Sequence, residues 1–184
     1  MRPRAIIVLA KGFEEMEAII SIDILRRAGI DAIIACIDHD LLVEGSRKIN
    51  VQAQVKLENV DFIPDAVVLP GGMPGALNLE QSERVIELIK KTANDGKLIA
   101  AICASPAHAL VKAGVLKGKT VTCYPGDETL FLPGTLYKKQ DVVVDGNIIT
   151  ASGPGTTYDF ALAIVKKLCG QDVAEKVKKA ALIK

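Results

Sequence analysis

The sequence predicts a doubly wound α/β sandwich, a mostly parallel β-sheet covered by helices on both faces. Three observations predict it. Short unbroken apolar runs at residues 4–10, 66–69 and 98–102 lack any alternation, the pattern of strands buried on both faces. Helical patterns with clear stop signals lie between such runs. The connections are short, and strand–helix–strand units joined this way close as right-handed parallel crossovers. Sheets of this kind bind ligands beyond the carboxyl ends of their strands.

The totals agree with that fold and exclude other classes. A chain of 184 residues with 49% apolar residues supports one real core, so residues 1–184 read as a single domain. The chain carries 23 basic and 22 acidic residues, a net charge of +1, which leaves no overall electrostatic footprint for nucleic acid. Aromatic residues are only 4% and tryptophan is absent, so base-stacking surfaces are not expected. The apolar N-terminal stretch turns polar at Lys11, too short for a leader peptide or a membrane span. Four cysteines, Cys36, Cys103, Cys123 and Cys169, show no metal-like spacing. Free thiols in a reducing, cytoplasmic compartment and no metal site are the expectation.

In order, the first strand covers residues 4–10. Residues 11–17, Lys-Gly-Phe-Glu-Glu-Met-Glu, lead into a helix that runs to about Ala28. Ile20, Ile24 and Ala28 share one of its faces, and Gly29 stops it. The glutamates at its front suit the helix dipole, which accounts for at least two of the three. A second strand follows at residues 31–37. Residues 38–58 read as a surface excursion with short strands, and His39 as a solvated loop residue. The strand at 66–69 ends in Pro-Gly-Gly-Met-Pro-Gly, where glycines let backbone N–H groups approach a ligand. That loop matches no nucleotide-binding fingerprint. A helix from about Glu80 to Ala93 precedes the strand ending at Ile102. Beyond it come a helix to about Lys112, a short strand at 120–123, a helical turn at 127–130 and a hairpin over 142–150 with an Asp-Gly turn. A helix at about 157–168 and a Lys-rich amphipathic helix finish the chain.

The centre of the argument is Cys103. An apolar run enters it, and Ser105-Pro106 reads as an N-cap with a first-turn proline. The cysteine thus sits on a sharp strand-to-helix turn, the device that lifts a nucleophile above a sheet. Helix dipole and free N–H groups are expected there to lower the thiol pKa. A buried structural cysteine is the competing reading. Four loops meet at the carboxyl edge, 11–17, 70–75, 103–105 and 152–155, bringing a thiol, a carboxylate and backbone donors together. No histidine base joins them. His108 is rotated away on its helix, so a Cys-His triad is disfavoured and a carboxylic acid is left for proton transfer. Cys36, Cys123 and Cys169 read as structural.

Four segments together resemble the ThiJ/PfpI superfamily and, within it, the DJ-one branch: residues 101–106 (Ala-Ile-Cys-Ala-Ser-Pro), 11–17, 68–72 (Val-Leu-Pro-Gly-Gly) and 153–156 (Gly-Pro-Gly-Thr). The resemblance covers essentially the whole chain. It implies a flavodoxin-like fold, a class I glutamine amidotransferase-like domain and a homodimer. It assigns Cys103 as the elbow nucleophile and Glu17, rather than Glu14 or Glu15, as the carboxylate on the thiol. It implies an oxyanion site at the N–H groups of Gly72 and Ala104, with Gly71 beside them. Arg27 and Arg47 match basic residues that shape the pocket, and Pro154 matches a pocket wall. Two departures matter. Tyr124 stands where some members place a histidine, and a phenol is a poor base near neutral pH. Ala104 stands where the protease-like branch has a histidine, which points away from peptidase activity.

The implied activity is a cofactor-independent glyoxalase or deglycase. Its substrate is a small aldehyde (methylglyoxal or glyoxal) or an early glycated adduct. The alternative is a redox-sensing, stress-protective or chaperone-like protein in which Cys103 is oxidised to sulfinate. A plain flavin binder is a third reading with poor phosphate-binding signals.

Overall fold

The structure is a computed structural model, described for residues 2–184. Its strands are β1 (Arg4–Leu9), β2 (Asp31–Cys36), β3 (Leu42–Glu44), β4 (Asn50–Gln52), β5 (Val55–Lys56), β6 (Ala66–Leu69), β7 (Leu98–Ile102), β8 (Thr120–Val121), β9 (Leu136–Tyr137), β10 (Val142–Asp145) and β11 (Ile148–Ala151). The α-helices are α1 (Glu15–Arg27), α2 (Gly75–Gln81), α3 (Glu83–Asn94), α4 (Val111–Ala113), α5 (Thr157–Cys169) and α6 (Gln171–Ala180).

Seven strands form one sheet in the order β10-β11-β7-β6-β1-β2-β5. Every pairing is parallel except the β10–β11 hairpin at one edge. Alternation along β1 explains the two layers. Ala5, Ile7 and Leu9 pack with α1, α5 and α6, while Ile6, Val8 and Ala10 pack with α2 and α3 on the other face. Both faces are dry, which is why the central strands read as continuous apolar runs. The mostly parallel sandwich, flavodoxin-like in arrangement, is therefore as expected.

Several local expectations need correction. The helix expected over about 80–93 is present as α3, which starts at Glu83, and a separate, unexpected helix, α2, precedes it. Ser82 breaks the path and caps α3, its hydroxyl accepting the Val85 N–H at 3.4 Å. Within the excursion, Val55–Lys56 joins the main sheet as its far edge rather than staying on the surface. The strand at 120–123 shrinks to two residues and pairs with β9, which no periodicity announced. The helix after Cys103 opens as a π-wound turn, Pro106–Leu110, before α4, and Ser105 does not cap it. Cys36 and Cys123 are buried, Cys169 is half-buried, and all four cysteines are free thiols.

Candidate active site

β7 delivers Cys103 at the carboxyl edge, next to its neighbours β6 and β11. The cysteine adopts φ 63, a left-handed conformation that side-chain-bearing residues rarely take and that costs on the order of 1–3 kcal/mol. Its backbone is fixed from both sides. The Cys103 N–H donates to Ala151 O at 2.9 Å, and Cys103 O accepts the Tyr124 N–H at 2.9 Å. The sharp turn predicted from sequence is thus real, and its thiol-bearing residue is 8% exposed.

Two neighbouring glycines make the turn possible. A Cβ on Gly71 would lie 2.7 Å from Cys103 Cβ and 2.9 Å from Ile102 O, so only glycine lets the two loops touch. Gly72 has φ +88, and a Cβ there would meet Gly12 O at 2.6 Å. Ser105 supplies the tie between the loops. Its hydroxyl donates to Pro70 O at 2.6 Å, a buried bond across 35 residues.

The three glutamates of the first loop divide three ways. Glu14 caps α1, its Oε2 accepting the Glu17 N–H at 2.8 Å. Glu15 turns outward to the β3–β4 hairpin. Its carboxylate accepts the Arg47 N–H at 2.5 Å, the Ser46 hydroxyl at 3.1 Å and the Ile49 N–H at 3.4 Å. Burial alone would raise its pKa, but these donors outweigh burial and lower it. Glu17 is fully buried against the elbow. Its Oε2 accepts the Gly71 N–H at 2.6 Å, and its Oε1 has no hydrogen-bond partner among the described residues.

The electrostatics reverse one expectation. Burial pushes the Glu17 carboxyl up to about 7, against the pull of the Gly71 N–H. Burial, and then the Glu17 carboxylate, push the Cys103 thiol above its ordinary value. The N–H groups of Gly72 and Ala104 pull the other way without prevailing. The expected lowering by a helix dipole fails because the following turn is short and π-wound, while desolvation and a carboxylate act at close range. Burial and the facing carboxylate thus both favour the protonated thiol over the thiolate.

The structure brings Cys103, Glu17, Gly71, Gly72 and Ala104 together. Tyr124 adjoins them through its backbone and is 50% exposed, with its ring 3.6 Å from where a Cβ on Gly153 would sit. Pro154 follows on the same β11 end, half-buried. Arg47 sits nearby through its backbone, held by Glu15, with an exposed side chain. Arg27 does not join the cluster. It lies ten residues along α1 from Glu17, about 15 Å of helix, and its Nε donates to Asp23 Oδ2 at 2.8 Å. His108 is also elsewhere, with Nδ1 2.8 Å from Glu80 Oε2. Among the described residues no group of three or more His, Cys, Asp or Glu is arranged to hold a metal ion. Sequence reasoning missed the roles of Glu15 and Ser105, since nothing local marks partners 31 to 35 residues away.

Known proteins resemble the chain over nearly its whole length. The sequence model of the DJ-1/PfpI family matches residues 3–167. The chain is 43% identical to the Parkinson disease protein 7 homolog of Danio rerio over 185 residues, covering 98% of this chain and 97% of that protein. It superposes on the crystal structure of Drosophila melanogaster DJ-1beta with TM-score 0.95 and 41% identity, over 100% of both chains. Oxidized Toxoplasma gondii DJ-1 matches with TM-score 0.95 and 34% identity over 98% of each chain.

Proposed function

Given that the chain belongs to the DJ-1/PfpI family, we propose that it is a cofactor-independent glyoxalase or deglycase working through Cys103 and Glu17. The observation that carries the reading is the buried pair itself. A thiol on a strained elbow touches a carboxyl whose pKa of about 7 matches the operating pH, which is what proton shuttling requires.

The chemistry follows on methylglyoxal. Cys103 sulfur adds to the aldehyde carbon as its proton passes to the Glu17 carboxylate. The oxyanion forms beside the Gly72 and Ala104 N–H groups and takes a proton back from Glu17, giving a hemithioacetal. The Glu17 carboxylate then removes the hydrogen from the former aldehyde carbon and returns a proton to the adjacent carbonyl carbon, while the hydroxyl proton of the hemithioacetal passes to the neighbouring oxygen. The result is a lactoyl thioester. Water hydrolyses it, releasing lactate and the free thiol. An early glycated adduct reaches the same hemithioacetal when its protonated amine leaves and Cys103 sulfur takes its place on the former aldehyde carbon. Tyr124 and Pro154 flank the entrance, and Arg47 adds positive charge beside it.

Lactate released from methylglyoxal measures this directly. Wild-type protein turns over, and Cys103→Ala loses activity by about 10²-fold or more. An active Cys103→Ala protein sinks the mechanism.

One observation favours a second reading, that of a redox sensor. The same two N–H donors that face the sulfur also suit sulfinate oxygens, and the solved structure of a similar protein, Toxoplasma gondii DJ-1, is of an oxidized form. Mass spectrometry after mild peroxide separates the two. Selective addition of two oxygens at Cys103 with no aldehyde turnover favours the sensor.

The protein works as a homodimer in this reading. Met16 and Ile19 are 51% and 44% exposed on one face of α1, beside the hairpin that Glu15 holds, where Leu42 and Ile49 are also exposed. Among the described residues no helix is long and apolar enough to cross a membrane. The proposed location is the cytoplasm, which suits four free thiols.

A further inference from the structure

The opposite edge of the sheet carries a feature that the proposed reaction does not use. Arg4, Asp65 and Lys97 stand at or just before the starts of β1, β6 and β7, where the parallel register sets them in one row, and Asn147 before β11 lies one position further along, level with Leu98. Asp65 organises the row. Its Oδ2 accepts the Arg4 N–H at 2.9 Å, and its Oδ1 accepts from Lys97 Nζ at 2.8 Å. Asn147 Nδ2 donates to Lys97 O at 3.1 Å. Beside the row opens a cleft of about 550 Å³, to which Arg2 and Lys167 also contribute. That size falls within the range of small-molecule sites.

Its charge is one-sided. Four cationic side chains line it against one carboxylate, in a chain whose net charge is only +1. Asp65 is already engaged by two donors, so it neutralises little more. Arg4 has no carboxylate partner among the described residues; its guanidinium lies 3.8 Å from the centre of the Phe62 ring, which fixes its plane. Arg2 and Lys167 have no ion pair or side-chain hydrogen bond among the described residues. A helix terminus explains only Lys167, in the last turn of α5. The other three cations belong to strand starts and the N-terminal segment. A planar guanidinium with flanking ammonium groups, and one carboxylate already engaged by Lys97 and the Arg4 N–H, is a donor set suited to a phosphate.

We propose that this cleft at the strand-start edge is a second binding site, taking a compact phosphorylated anion and lying across the sheet from Cys103. The phosphate groups come either from a nucleotide or from free inorganic polyphosphate.

Backbone amide NMR of the full chain tests it, titrating inorganic pyrophosphate or ADP at constant ionic strength. Saturable shifts confined to the amides of residues 2, 4, 65, 96–98, 147 and 167–168 are expected. Stronger binding of ADP identifies a nucleotide as the source, and stronger binding of pyrophosphate identifies free phosphate. The double variant Arg2→Glu with Lys167→Glu weakens binding by roughly tenfold or more. Both side chains are exposed, so its melting temperature stays that of wild type, which controls for folding. Single Lys167→Gln gives a smaller loss of the same sign. Non-saturable shifts, shifts spread over lysine and arginine amides everywhere, or a folded double variant that binds as tightly as wild type each overturn the proposal.

Discussion

Glu17 ties stability to function at the scale of one residue. Its folded pKa of about 7 lies above the ordinary 4.5, so between those values the folded chain holds a proton that the unfolded chain has lost. The sign follows. The stability it contributes is complete below about pH 4.5 and is lost as pH rises to and through 7, on the order of 3 kcal/mol. The melting temperature of wild type should fall over that window, and Glu17→Gln should flatten the slope. Gly71 makes the second residue-scale test. Gly71→Ala drives a methyl group into Cys103 Cβ and Ile102 O, costing about 1–3 kcal/mol and displacing the thiol. Calorimetry should show the lower stability, and aldehyde turnover should be lost with it. These two positions were unequally legible. An apolar run entering a turn announced the elbow, so Cys103 stood out. The raised thiol pKa did not, because burial and the facing carboxylate depend on residues 17, 71 and 72, which local pattern cannot place.

Among the elements, the β3–β4 hairpin depends on α1 more than on the sheet. Three donors from residues 46, 47 and 49 converge on the Glu15 carboxylate, and Gly12 N and Ser46 N make backbone bonds between the first loop and the hairpin. Glu15→Ala strips the acceptor and leaves those donors unpaired. Local opening of the hairpin should become easier by roughly 2 kcal/mol. Faster hydrogen exchange at amides 47 and 49, with β6 and β7 unchanged, is the check. Element existence was legible wherever burial on both faces left an apolar run, as in β1, β6 and β7. It was illegible for β9, whose two residues are both exposed and carry no period. The break between α2 and α3 was hidden because Ser82 reads equally as a helix-surface residue and as a cap. Ser105 failed in the opposite sense. Its Ser-Pro context signals a cap, yet its hydroxyl serves Pro70, 35 residues away.

Across the whole molecule the two sheet edges differ in kind. The carboxyl edge gathers loops from β1, β6, β7 and β11 around a desolvated thiol, while the amino edge lines up polar and cationic residues at strand starts. A parallel sheet makes this division by construction, since all loops that follow strands emerge on one side. The fold class and the membership of the central loops were therefore readable from sequence, whereas the charge row was not, because it needs the register between three strands. At the same scale, the proposed homodimer rests on the apolar face of α1. Ile19→Glu should shift the protein from dimer to monomer in sedimentation at micromolar concentration, and a persistent dimer would place the interface elsewhere.

The central claim is that Glu17 moves the proton that Cys103 chemistry requires. The most direct test is the rate of lactate formation from methylglyoxal by Glu17→Gln, with Cys103 intact. Glutamine keeps an acceptor for the Gly71 N–H but cannot take up a proton. The account predicts a fall in kcat of about 10²–10⁴-fold with the fold retained. A wild-type rate from folded Glu17→Gln protein contradicts it.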